Sequence, residues 1–183
     1  MFPIQSVEVV LRNAVASQLD GYFGVTDWLI NVPDPTNHNV WSARQLRKIA
    51  DTEARLHIQK GRTPTQNAMI ADLEFGFWTE FLDPTRHRFW PHIRPAFPNL
   101  PPHARRGPVK FELNRLRVFR NRIAHHEVII NHAGTPTAMH DLFIKVIGWM
   151  SHDKSAWTQR HSQVEEVWRE ISNEKSKHGW SGF

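Results

Sequence analysis

The sequence predicts an all-α protein, and two observations carry that expectation. Apolar residues recur at helical spacing in several long stretches. Four separate helix starts also carry capping or proline signals. Residues 3–20 form the first expected helix, with Val7, Val10, Leu11, Ala14 and Val15 along one stripe and Gly21 and Gly24 breaking it. Residues 31–39 (NVPDPTNHN) read as a loop from their Pro, Asp and Asn content. Ser42 with Gln45 matches a capping box and Gly61 supplies a stop, which bounds a helix at 43–60. Thr63-Pro64-Thr65-Gln66 repeats the signal with Pro at the first helical position. The helix it opens carries Ile70, Leu73, Phe77 and Phe81 as one stripe and ends before Asp83-Pro84.

Seven prolines between 84 and 108 exclude one long regular helix and predict a rigid, basic surface segment. Gly107-Pro108 then starts a helix to about His126, with Leu116, Phe119 and Ile123 facing inward. Asn131 to Pro136 reads as a loop. Two final helices are expected, at 137–150 and 153–173, the second starting at Ser151. Residues 1–173 thus form one domain, followed by a polar tail over 174–183 that is expected to be mobile from Asn173 to Gly179.

Composition narrows the function classes. At 183 residues the chain can bury a real core, and eight Trp and eleven Phe supply much of its area. The absence of cysteine excludes a disulfide framework, a thiolate nucleophile and a Cys-based zinc site, and fits a cytoplasmic location. No run approaches the ~18 apolar residues that cross a bilayer, and the N-terminus lacks a signal-peptide layout. No membrane partner is therefore expected.

The formal charge of +5 and a pI near 10.0 suit a nucleic-acid partner. Distribution says more than the total. From Pro84 to Phe111 there is no acidic residue, whereas Arg86, Arg88, Arg94, Arg105, Arg106 and Lys110 are basic. Arg115, Arg117, Arg120 and Arg122 continue the charge toward a pair of histidines. Arg86, Arg88, Arg105, Arg106, Lys110, Arg117 and Arg122 are the expected RNA contacts.

The most specific stretch is Arg120-Asn121-Arg122-Ile123-Ala124-His125-His126. Cleaving RNA without a metal needs a proton-transfer group and a fixed positive charge, and His and Arg suit those tasks at neutral pH. On a helix, Asn121 and His125 are i,i+4 neighbours, and small Ala124 leaves room for Arg120 and His125 to meet one phosphate. His126 projects about 100° further round, beside Arg122. His125 is the first candidate for catalysis and His126 the alternative.

Several landmarks in order resemble the Abi-like (abortive infection, Abi D/F type) family of the HEPN ribonuclease superfamily. They are Leu11-Arg12-Asn13-Ala14, Ala71 to Trp78 (ADLEFGFW), Ala96-Phe97-Pro98, Arg120 to Glu127 (RNRIAHHE) and Ile147-Gly148-Trp149-Met150. Arg120 to His125 matches the superfamily's Arg-Asn-x4-His form. The resemblance spans nearly the whole chain and implies a HEPN-type helical bundle with additional helices. It further implies an anti-phage or toxin role in bacteria, and metal-independent RNA cleavage in a homodimer. It assigns Arg120, Asn121 and His125 to an active site, with His126 next. The family commonly has a further helical stretch before the Leu-Arg-Asn landmark, where this chain has ten residues.

Glu8 and Arg12, i,i+4 on the first helix, are expected either to form an exposed ion pair or to pack against the motif helix and orient its polar groups. His87, His92 and His103 lack the tight spacing of a zinc site and no HExxH occurs, so neither a metal nor another cofactor is expected. Phe89 and Trp90 can either anchor their segment or stack on bases. Three functions remain: an endoribonuclease leaving a 2′,3′-cyclic phosphate; a non-cleaving module forming a ribonucleoprotein with a structured small RNA; and a toxin whose basic face meets an acidic protein. An antitoxin or guide-like RNA is a further partner the first reading allows.

Overall fold

The computed structural model describes residues 3–38, 40–127 and 136–178. Among them no strand occurs, so the all-α expectation holds. The helices are α1 (Pro3–Phe23), α2 (Ala43–Lys60), α3 (Gln66–Asp72), α4 (Phe75–Glu80), α5 (Trp90–Ile93), α6 (Arg106–Ala124), α7 (Pro136–Met150), α8 (His152–Arg160) and α9 (Val164–His178). Two 3₁₀ segments, Pro84–Phe89 and Arg94–Ala96, flank α5.

α1 is the central element and touches α3, α4, α5, α7 and α8. Its Val7, Leu11, Val15 and Leu19 are buried against Phe77, Trp78, Ile93, Phe97, Val146 and Ile147 in a single apolar cluster. Aromatic residues fill much of that core, and each buried indole finds an acceptor, as an N–H taken out of water requires. Trp28 donates to Asp20 Oδ1 at 2.7 Å, Trp41 to the Pro33 carbonyl at 2.9 Å and Trp78 to the Leu73 carbonyl at 3.2 Å.

α2 forms as expected. Ser42 accepts from the Gln45 amide, Gln45 closes the box, and Gly61 at φ 62° ends the helix by donating to the His57 carbonyl. Elsewhere the boundaries need correction. α1 runs through Gly21 to Phe23 and stops only at Gly24, whose φ is 69°. A helical glycine costs about 1 kcal/mol, and here the aromatic packing of Phe23 on Trp41, rings stacked at 5.5 Å, offsets it.

The single helix expected after Pro64 is two, broken at Leu73-Glu74, both extended. Thr65 caps the first by accepting from the Ala68 amide, so Pro64 precedes the helix instead of opening it. The predicted apolar stripe still faces the core through Leu73, Phe77 and Phe81. The last expected helix is also two, interrupted at 161–163. His161 leaves the helix to stack on Trp157, with centroids 4.4 Å apart. Ser151 caps α8 as predicted, accepting from the Lys154 amide. α9 reaches His178, so residues 174–178 are helical where a mobile polar tail was expected. α7 starts at Pro136, and residues 131–135 of the expected loop lie outside the described residues.

The proline segment departs furthest from expectation. It folds as short turns with Phe89, Ile93, Ala96 and Phe97 buried, and four basic side chains from it and the start of α6 point inward. Arg86, only 4 % exposed, donates to Gln45 Oε1. Arg94 donates to the carbonyls of Phe97, Leu100 and Pro101. Arg106 donates to the Leu82 carbonyl. Lys110 donates to the Thr79 carbonyl at 2.9 Å and pairs with Asp83 at 2.6 Å.

Candidate active site

α6 carries the motif. Val109, Leu113, Leu116 and Phe119 bury one face, with Phe119 against Phe143 of α7. Ile123 continues that face in spacing, yet it is 38 % exposed, because the helix end overhangs its neighbours. The inward role expected of it is therefore not met.

Arg120 sits at the edge of the buried face. Its Nε lies 3.7 Å from Glu8 Oε2, and its Nη1 donates to Asn121 Oδ1 at 3.4 Å. The other Glu8 oxygen accepts the Phe75 amide at 3.1 Å, at the start of α4. One carboxylate from α1 thus links the motif arginine to an otherwise uncapped helix start, where negative charge is favourable. Glu8 thus packs against the motif helix at Arg120. Arg12 does not: it donates to the Ala71 carbonyl at 2.7 Å and serves the α3–α4 connection.

The histidines close the helix instead of lying on it. His125 is the C-terminal cap, its amide donating to the Asn121 carbonyl at 2.9 Å. The His126 amide donates to the Ile123 carbonyl at 3.1 Å, and the Glu127 amide to the Arg122 carbonyl at 2.9 Å. This pair of bonds is a Schellman motif, whose left-handed position is usually Gly. Here His126 occupies it at φ 55°. A non-glycine residue pays a steric cost there, from Cβ against the following carbonyl. His126 is therefore not stacked along the helix on Arg122, which instead pairs with Glu127 at 3.9 Å. Both imidazoles are exposed.

The basic residues expected to contact RNA divide in two. Arg88 and Arg105 are exposed, and Arg122 is partly so. Arg86 is buried, so the surface role expected of it is overturned; burial pushes its guanidinium down from the ordinary value, against the opposing pull of Glu80 and Asp83. Arg106 and Lys110 are tied to backbone carbonyls, and Arg117 grips Asn114 Oδ1 through Nε at 3.2 Å and Nη2 at 2.8 Å. Phe89 is buried and cannot stack on a base; Trp90 packs on Phe97 at 6.2 Å.

The chain matches no family model, no curated protein and no solved structure. The site therefore stands on its own geometry.

That geometry adds a groove which the sequence reading missed. Phe111, 64 % exposed on α6, and Trp149 of α7 line it with Arg105, His103 and Lys145. Lys145 sits over the Trp149 ring at 5.5 Å and Arg115 over Phe111 at 6.0 Å. Phe111 followed by Arg115 at i+4 was the available signal, but only the fold brings Trp149 beside them. A second missed cluster joins His140, Asp141 and Glu165 across α7 and α9.

Proposed function

We propose that this protein is a metal-independent RNA endonuclease of the HEPN type, acting in a bacterial abortive-infection or toxin system. One observation supports the reading: a guanidinium held by Glu8 lies in the last turns of a helix whose C-terminal cap carries two exposed histidines. His125 would take the proton of the RNA 2′-hydroxyl as its oxygen attacks the adjacent phosphorus. Arg120 would neutralise the charge that develops on the phosphorane oxygens. The 5′-oxygen then leaves with a proton from a second imidazole, and a 2′,3′-cyclic phosphate remains. That second imidazole is His126 or the His125 of another copy. Exposed Val118 and Ile123 beside the motif support a homodimer closing there.

The exposed cations Arg88 and Arg105, the partly exposed Arg122 and the Phe111–Trp149 groove support RNA as the partner over an acidic protein. Aromatic faces among cations take single-stranded bases without regard to sequence.

The test uses purified protein and total RNA in EDTA. His125→Ala should lower cleavage by about 10²–10⁴-fold, the range of general acid–base catalysis, and leave RNA binding nearly unchanged. Arg120→Ala should damage both. RNA left intact by the wild type on every substrate, with binding retained, moves the assignment to a non-cleaving ribonucleoprotein module.

A further inference from the structure

His140 is the one buried side chain whose ring nitrogens both lack a hydrogen-bond partner among the described residues. It is 4 % exposed, in the first half of α7. A buried polar group left unpaired costs on the order of 1–3 kcal/mol, so native structures normally supply a partner. Nδ1 does face charge: an Asp141 carboxylate oxygen lies 3.7 Å away, too far for a hydrogen bond. Glu165, in the first turn of α9, brings a second carboxylate, and the three ligand atoms all lie within 4.8 Å of one another.

We propose that His140, Asp141 and Glu165 bind one divalent ion of the zinc class, which pins α9 to α7. A tetrahedral shell with bonds of ~2.1 Å places its ligand atoms roughly 3.5 Å apart. Both carboxylates are exposed, and modest side-chain rotation closes the remaining gap. One imidazole with two carboxylates suits zinc or its neighbours; calcium and magnesium prefer oxygen alone. The two carboxylates also balance the ion's charge, and water takes the open position. α9 needs such a fastening. Its Val167 and Ile171 are 48 % and 47 % exposed, so apolar burial holds it weakly. This site is independent of the histidine pair on α6, and the ion has no part in the cleavage step proposed above.

The test is calorimetric and thermal, on the full chain stripped with EDTA and dialysed. Zinc chloride should bind at one tight equivalent and raise Tm by about 5–10 °C at ~100 times the dissociation constant. Magnesium should not. Asp141→Asn and Glu165→Gln, both at exposed positions, should keep the metal-free Tm and weaken zinc binding at least about tenfold, since each removes a charged ligand. His57→Ala, at an exposed histidine on α2, should bind as the wild type does. Zinc that leaves Tm unmoved, or binds equally to Asp141→Asn and Glu165→Gln, overturns the site and leaves His140 a buried, unsatisfied imidazole.

Discussion

Two stretches of this chain look alike in sequence and behave oppositely in the fold. Residues 84–110 and 115–126 are both arginine-rich. In the first, Arg86, Arg94, Arg106 and Lys110 spend their donors on the protein itself. In the second, Arg115 and both histidines are exposed, and Arg122 is partly so. The difference traces to proline. Each proline removes a backbone donor but keeps its carbonyl, and short 3₁₀ turns leave further carbonyls unpaired. Guanidinium groups, with five donors each, make good that deficit. α6 needs no such help in its middle, because its backbone is self-satisfied, so its cations meet side chains instead of carbonyls: Arg115 pairs with Glu112, Arg117 with Asn114, Arg120 with Glu8 and Arg122 with Glu127. A basic run therefore reports surface charge only where the backbone has no other use for it.

The sharpest way to break this comparison is to remove, within 84–110, donors that the protein uses and donors left exposed, and to measure stability. Arg94→Ala removes a charged donor from three carbonyls, of which those of Phe97 and Pro101 keep a backbone amide, and Arg86→Ala leaves Gln45 Oε1 with the Ser42 amide alone. Each should cost about 2–4 kcal/mol, the loss of charge-assisted hydrogen bonds in partly buried surroundings. In thermal melts that is a Tm drop of roughly 5–15 °C for a chain of this size. Arg88→Ala with Arg105→Ala, both exposed, should change stability by less than about 0.5 kcal/mol. The same pair should flatten the salt dependence of RNA binding by roughly 0.7 in log–log slope per lost phosphate contact. Equal melting for the two sets would erase the distinction.

The legibility of the sequence follows the same line. Helix starts governed by local chemistry were readable: Ser42 with Gln45, Ser151, and Gly61 as a stop all act as spaced. Breaks governed by distant partners were not. The interruption at Leu73-Glu74 depends on Glu8, 67 positions away from Phe75, and no local signal announces it. Arg86 could not be told from Arg88 by type, since only the fold decides which of them meets Gln45. At the motif, the spacing assumed a helix through His126, whereas α6 ends at Ala124, and only the fold brings Glu8 of α1 within 3.7 Å of Arg120. The groove of Phe111 and Trp149 and the cluster around His140 join residues from different helices, which a linear reading does not see.

His126 offers a smaller, opposite effect within the exposed region. A left-handed histidine at the Schellman position carries strain that glycine does not. His126→Gly should therefore stabilise the fold, by about 1 kcal/mol or ~2–4 °C in Tm. If His126 supplies the second imidazole, the gain in stability comes with a loss of cleavage, as strain held at a functional site would require. Gain without loss would leave His125 of a second copy as the proton donor. A destabilised His126→Gly protein would instead mean that the imidazole makes packing contacts which outweigh the backbone cost.

The smallest expected effect calibrates the comparison with an ordinary surface pair. Lys48 Nζ lies 2.8 Å from Glu74 Oε2, and the Glu74 side chain is 66 % exposed. The hydrogen bond and charge of Lys48 hold the Glu74 carboxyl below its ordinary value of 4.5, with Arg120 and Arg44 assisting and partial burial opposing. A carboxylate depressed on folding stabilises the protein above its unfolded value, and that stability is lost as pH falls through the folded one. Lys48→Met should therefore cost only about 0.2–1 kcal/mol at pH 7, as exposed pairs do in water. The gap between variant and wild type should close as the pH falls below 4.5 and Glu74 takes up its proton. Denaturation by urea at pH 7 and pH 3 measures both values. A cost above ~2 kcal/mol at pH 7, or one that persists at pH 3, would show that Lys48 acts through packing, and the division between cations used by the backbone and cations left to solvent would need a third class.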